Sequence, residues 1–163
     1  RDNVITNNII VNPGNNALRF DDRARECALE NGWFTHAYIG SGDMWEALYN
    51  SPWQSETWQN AFPEYKNCTD DISKSDSPNY IPNPASTFKS NIIINKNMGY
   101  GDVYSSVWKF SDISENAIYN VGKCDEIFVD PDNGDYNIKD IDEIRKDAPD
   151  FKEIPLDMIG RVN

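Results

Sequence analysis

The sequence repeats one short phrase three times, and this repetition constrains the fold more than any other feature. Asparagine brackets three residues that favour β-structure in each copy, as NIIVN at 8–12, NIIIN at 91–95 and NAIYN at 116–120. The last two copies start 25 residues apart, a length typical of one turn of a solenoid with short strands. In such an array aliphatic residues stack inside, and Asn amides form a ladder at the bends.

This pattern predicts an all-β fold, a right-handed parallel β-helix (solenoid) of about three coils. Residues 26–85 interrupt it with helix-start signals at Asp43 and Ser51 and with a Pro-rich loop, which predicts a partly helical insertion. Residues 103–110 resemble a further strand, and residues 136–163 are expected to form a C-terminal cap. All 163 residues are expected to form a single domain.

Composition excludes several classes of partner. The net charge of −12 argues against nucleic acid and against an anionic membrane surface. No apolar run approaches the ~18 residues of a membrane span. The three cysteines, Cys27, Cys68 and Cys124, are widely spaced, so no metal site and no cofactor is predicted, and their disulfide state stays open.

The two ends of the chain resemble right-handed parallel β-helix proteins. The similarity lies in FVDPDNGDYNI at 128–138, DAPDF at 147–151 and IPLDMIG at 154–160, and in NNIIVNPGNNALRFDDRA at 7–24. Ala24 stands where glycine is common in those proteins, and Pro13 is shifted from a usual cysteine. The chain looks most like β-helical glycoside hydrolases with fucosidase and xylanase members. The resemblance implies the C-terminal part of a longer, secreted or cell-surface, polysaccharide-active bacterial protein.

Asp21 and Asp22 are the candidate catalytic residues. Glycoside hydrolysis requires two carboxyl groups that flank the scissile bond. Successive residues of a strand point to opposite faces, so these two are not expected to form that pair together. One of them would supply a carboxylate, while Arg19 or Arg23 binds the sugar. The alternative is a surface ion-pair cluster.

Three further residues are candidate substrate-binding groups: Trp33, His36 and Trp45. Aromatic rings stack on the C–H faces of sugars, and four of the five tryptophans lie within 26–85. His36, the only histidine, has no ligand partner at metal-binding spacing. The alternative is that tryptophans such as Trp53 and Trp58 anchor a helix.

The predicted function is that of a polysaccharide-active β-helix protein of glycoside-hydrolase type that contributes residues to a carbohydrate-binding cleft. A non-catalytic carbohydrate-binding or structural module is one alternative, and a polysaccharide lyase or epimerase fragment is another. Cleft residues of a β-helix come from several coils, so the isolated chain is expected to be inactive. Its partners are a polysaccharide or oligosaccharide, and either upstream coils or a second copy at the N-terminal end.

Overall fold

The computed structural model describes residues 1–31 and 50–156, which divide into two compact units. The first unit comprises residues 1–3, the described part of 20–86, and 104–111. The second unit comprises residues 4–19, 87–103 and the described residues from 112 onward. Each is considered separately below.

The second unit is built on six short parallel strands. They are β1 (Val4–Thr6), β2 (Ile9–Val11), β3 (Thr87–Lys89), β4 (Ile92–Asn95), β5 (Asp112–Ser114) and β6 (Ala117–Asn120). They form two three-stranded sheets with the orders β1-β3-β5 and β2-β4-β6. The register places Ile9 beside Ile92, and Ile92 beside Ala117, so the repeated phrases stack on one another.

One left-handed residue turns the chain from each strand of the first sheet into the next strand of the second. Asn7, Ser90 and Glu115 occupy these corners with φ of 59°, 53° and 52°. Asparagine tolerates this conformation, whereas serine and glutamate adopt it at an energetic cost. The asparagine after each corner supplies compensating hydrogen bonds.

These following asparagines, Asn8, Asn91 and Asn116, form a hydrogen-bonded ladder. The backbone N–H and Nδ2 of Asn8 donate to Asn91 Oδ1 at 3.0 and 2.9 Å. The same two groups of Asn91 donate to Asn116 Oδ1 at 3.0 and 2.9 Å. The predicted stacking of the three asparagines on parallel strands is therefore confirmed.

The rest of the second unit encloses an apolar core. Helix α4 (Cys124–Ile127) precedes the antiparallel pair β7 (Phe128–Asp130) and β8 (Asp135–Ile138), and helix α5 (Ile141–Ile144) follows. Asp140 caps α5, because its side chain accepts from the backbone N–H groups of Asp142 and Glu143. The core consists of Ile92, Ile94, Ala117, Phe128, Ile144, Ala148 and Phe151.

The first unit is helical. Its described residues contain α1 (Arg23–Asn31), α2 (Glu56–Ala61) and α3 (Ser105–Phe110), with 3-10 turns at Pro63–Tyr65 and Ile72–Lys74. Trp53, Tyr80, Ile81 and Val107 are buried. Buried Asn83 holds the loop before it, since its Nδ2 donates to Ser75 O and Ser77 O at 2.9 and 2.6 Å.

The prediction of an all-β, right-handed parallel β-helix of about three coils is wrong. The described residues form a mixed α/β structure, with two small parallel sheets and one antiparallel pair, and no coil closes among them. The strands are only three or four residues long. The segments that join β2 to β3 and β4 to β5 contain helices, so the chain does not continue around a solenoid.

The strand predicted over 103–110 is instead helix α3. Val103, Val107 and Phe110 recur at helical spacing, and Val107 is fully buried. The second helix of the predicted insertion begins later than expected. Ser55, not Ser51, is its N-cap, and the Ser55 side chain accepts from Trp58 N at 3.3 Å. The helix start at Asp43 lies outside the described residues.

Candidate functional site

Helix α3 exposes two large aromatic side chains on one face. Tyr104, the N-cap residue, is 50% exposed and Trp108 is 47% exposed. The two residues are four apart in sequence, and the backbone N–H of Trp108 donates to Tyr104 O at 3.2 Å. Ser105 and Lys109 are also exposed, whereas Val107 is buried. We call Tyr104 and Trp108 the aromatic platform.

Contacts within the first unit hold α3 in place. Ser106 Oγ donates to the carboxylate of Asp22, which precedes α1. The backbone N–H of Tyr104 donates to Phe20 O at 3.2 Å. At the other end of the helix, Ser111 Oγ donates to Pro84 O and accepts from Ser86 N. A helix tied at both ends presents the platform in a fixed orientation.

Charged groups lie beside the platform. Lys109 Nζ donates to Asp76 Oδ1 at 2.8 Å, and Arg25 lies 3.7 Å from the same oxygen. The hydrogen bond from Lys109 and its positive charge hold the pKa of Asp76 below its usual value, and Arg25 adds to this effect. The Arg25 guanidinium also lies over the Phe110 ring, 5.5 Å from its centroid. We call Ser105, Lys109 and Asp76 the polar rim.

The arrangement suits a ligand with one apolar face and many hydroxyl groups. Half-exposed aromatic rings offer flat surfaces on which C–H groups can pack. An ionised carboxylate accepts hydrogen bonds from hydroxyl groups, and an ammonium group donates to them. A sugar ring combines these two requirements.

Asp21 and Asp22, the predicted catalytic residues, both have partners inside the first unit. Asp21 accepts from the backbone N–H of Arg23 at 3.3 Å and from its guanidinium at 3.2 Å. The backbone carbonyl of Asp22 accepts from Glu26 N at 3.0 Å, which makes Asp22 the N-cap of α1. Its carboxylate accepts from Ser106. These contacts agree with the structural alternative, an ion-pair and capping cluster.

Of the predicted substrate-binding residues, the structure describes Arg19 and Arg23. Arg19 is exposed and belongs to the second unit, whereas Arg23 is exposed and belongs to the first. Trp33, His36 and Trp45 lie outside the described residues.

The tryptophans of the predicted insertion divide by burial. Trp53 is buried, and Trp58 is half-buried and packs on Phe62 with 5.1 Å between ring centroids. Phe62 is 43% exposed. Trp53 therefore belongs to the buried interior of the first unit, whereas Trp58 and Phe62 are partly exposed. The alternative that Trp53 and Trp58 anchor a helix stays a prediction.

Sequence reasoning missed Tyr104, Ser105, Lys109 and Asp76. The signal was present, because Tyr104 and Trp108 stand four apart while Val103, Val107 and Phe110 carry the complementary apolar spacing. Interpreting 103–110 as a strand placed Tyr104 and Trp108 on one face but left their pairing on a helix unrecognised.

The remaining chemistry of the described residues is modest. Cys68 and Cys124 are free thiols, and burial raises the pKa of both, so neither is activated as a nucleophile. No group of three His, Cys, Asp or Glu side chains suited to a metal converges in ranges 1–31 and 50–156. Within the same ranges, no helix has the length and apolarity to cross a membrane.

Comparisons with protein-family models, with curated proteins and with solved structures give no match to this chain. The resemblance to polysaccharide-active proteins therefore stays a prediction. The aromatic platform and the polar rim of α3 form the candidate functional site.

Proposed function

We propose that this chain binds carbohydrate through the aromatic platform of α3. The observation that carries the proposal is the pair of half-exposed rings, Tyr104 and Trp108, on a tethered helix with a polar rim. Exposed apolar surface rimmed by polar residues is a common feature of binding sites. A polysaccharide or oligosaccharide is the partner that this chemistry favours.

The charge of the chain narrows the ligand class. A net charge of −12 repels polyuronates and sulfated glycans. Asp76 adds a carboxylate, held ionised by Lys109, next to the platform. The proposed ligand is therefore a neutral or amino-sugar chain.

The proposal is for binding, not for catalysis. Hydrolysis needs a protonated and an ionised carboxyl group on either side of a glycosidic bond. Asp21 and Asp22 instead accept hydrogen bonds from Arg23 and Ser106. Asp76 is the carboxylate near the platform, and its lowered pKa makes it a poor general acid at neutral pH. A role at the cell surface or outside the cell accompanies the proposal, because polysaccharides are abundant there.

Calorimetric titration against a panel of oligosaccharides tests the proposal. The panel contains xylohexaose, cellohexaose, a fucosylated oligosaccharide, chitohexaose and a polyuronate oligomer. We expect binding of at least one neutral or amino-sugar member. Trp108→Ala should weaken that binding by at least about tenfold, since one stacking contact is worth ~1–3 kcal/mol.

Phe62→Ala is the matched control, because Phe62 is a similarly exposed aromatic residue of the same unit. It should bind like the wild type. Circular dichroism establishes that both variants are folded. Equal losses in the two variants, or no binding to any neutral or amino-sugar member, would contradict the proposal.

A further inference from the structure

The asparagine ladder of the second unit is open at one end. Asn116 accepts from Asn91, and Asn91 accepts from Asn8. No group among the described residues donates to Asn8 Oδ1, although this oxygen is equivalent to the two that each receive two hydrogen bonds. Asn8 is also exposed, so its acceptor is accessible to a ligand.

Both strands that flank Asn8 are edge strands. Among the described residues, β1 pairs with β3 and β2 pairs with β4, and neither has a second partner strand. Val4 in β1 is 71% exposed. The two strands are only three residues long, and the backbone N–H of Lys152 donates to Asn7 Oδ1 at 2.6 Å beside them, but no charged residue occurs from Asn3 to Leu18 in a chain that is 26% charged. An uncharged edge strand is a template for a further strand.

A groove lies beside this edge where the interior of one more layer would fall. Its volume is about 440 Å³, and it is lined by Asn7, Asn8, Ile9, Val11, Tyr136, Ile154 and Leu156. Ile9 and Val11 also pack against the apolar core. The groove thus continues the column in which Ile9, Ile92 and Ala117 are stacked.

We infer that the β1–β2 edge is a binding site for an extended segment of another polypeptide chain, which adds as a parallel strand pair. The observed layers define the chemistry of this segment: a short strand, a corner residue, an asparagine and then aliphatic residues. Its asparagine would donate from its backbone N–H and Nδ2 to Asn8 Oδ1, and its aliphatic side chains would enter the groove. Strand addition at an open sheet edge is a general mode of peptide recognition.

The probe is a fluorescent peptide with the sequence of residues 86–95, STFKSNIIIN, flanked by lysines for solubility. Fluorescence anisotropy with the full chain measures its affinity. We expect saturable binding that weakens about tenfold in Asn8→Ala protein, which removes the acceptor. A peptide with alanine at the position of Asn91 should bind several-fold more weakly.

Asn120→Ala is the matched control protein. Asn120 ends the third repeated phrase at the opposite edge of the sheet from β2, and its side chain donates to Lys96 O and accepts from Gly122 N. It should bind the peptide like the wild type. In amide NMR spectra, peptide-induced shifts should concentrate at residues 4–11.

Three results would overturn the inference. One is the absence of saturable binding to folded wild-type protein. Another is equal affinity for the wild type and Asn8→Ala. The third is concentration-dependent self-association that Asn8→Ala abolishes, because this would identify the occupant as a second copy of the chain. Each of them leaves the carbohydrate proposal intact, since the platform belongs to the other unit.

Discussion

Replacing Asn91 should destabilise the second unit strongly, although the Asn91 side chain is small. Asn91 is fully buried, and its side chain lies within hydrogen-bond distance of five groups. Its Oδ1 accepts from the N–H and Nδ2 of Asn8, and the two hydrogens of its Nδ2 are shared among Ile5 O, Lys89 O and Asn116 Oδ1. Alanine removes all of them and leaves several backbone groups without a partner.

The magnitude follows from the accessibility of those partners. A lost hydrogen bond costs about 1 kcal/mol, and a buried group without a partner costs about 1–3 kcal/mol. Asn8 is exposed, so water can replace its two bonds. The acceptors of Asn91 Nδ2 are less accessible to water than Asn8. Asn91→Ala should therefore lower the free energy of unfolding by about 3–4 kcal/mol. Asn8→Ala, the matched control, should cost less than about 1 kcal/mol.

Urea denaturation monitored by circular dichroism measures both variants, and the midpoint is compared at constant slope. Asn91→Asp adds a second test. At pH 7 the new carboxylate oxygen would face Ile5 O, Lys89 O and Asn116 Oδ1, so this variant should be less stable than Asn91→Ala. The pKa of the new carboxyl is raised in the folded state, so the penalty should shrink as the pH falls toward 4. Equal stability of Asn91→Ala and Asn8→Ala would refute the ladder argument.

Two further predictions concern one residue of the second unit and two of the first. Burial, followed by the charge of Asp147, raises the pKa of Tyr119 to about 12, so this phenol contributes stability that is present below pH 10 and lost as the pH rises toward 12. Unfolding curves across this range should show a loss of about 1–2 kcal/mol that Tyr119→Phe removes; an unchanged loss would contradict the assignment. Trp53→Ala should cost about 3–5 kcal/mol, whereas Phe62→Ala should cost less than about 1 kcal/mol. Similar midpoints for these two would show that the burial difference is wrong.

The asparagine ladder was predictable because one side chain has one function in every layer. Asn8, Asn91 and Asn116 each follow a left-handed corner and bond to a neighbouring layer, so asparagine recurs at the same position of each phrase. The pairing partners follow directly from that register. Parallel stacking is therefore encoded locally, in phrases five residues long.

The solenoid was not predictable from those phrases, because they specify only the two strands on either side of a corner. The path between them depends on connecting segments such as 103–110, where Val103, Val107 and Phe110 favour a helix. A short apolar segment fits either a strand or a helix until its period is counted. When residues 103–110 are interpreted as a strand, the predicted repeat extends beyond the three phrases that carry it.

The candidate site was harder to predict because it depends on one helix and on distant partners. Trp108 lies outside the predicted insertion, where the candidate aromatic residues were sought, and the position of Tyr104 at the N-cap depends on the helix that follows it. Asp76 reaches the site through a long loop, and its ion pair with Lys109 spans 33 residues. Asp21 and Asp22 were predicted to be catalytic because they are adjacent carboxylates. In the structure both accept hydrogen bonds at the start of α1.

The proposal that α3 binds carbohydrate is tested most directly by the indole N–H signals of isotope-labelled protein. The chain has five tryptophans, so the spectrum contains five such signals, and Trp108→Phe assigns the one that matters. Titration with the best-bound oligosaccharide of the panel should shift the Trp108 signal and leave that of buried Trp53 in place. An unmoved Trp108 signal at saturating oligosaccharide would contradict the proposal.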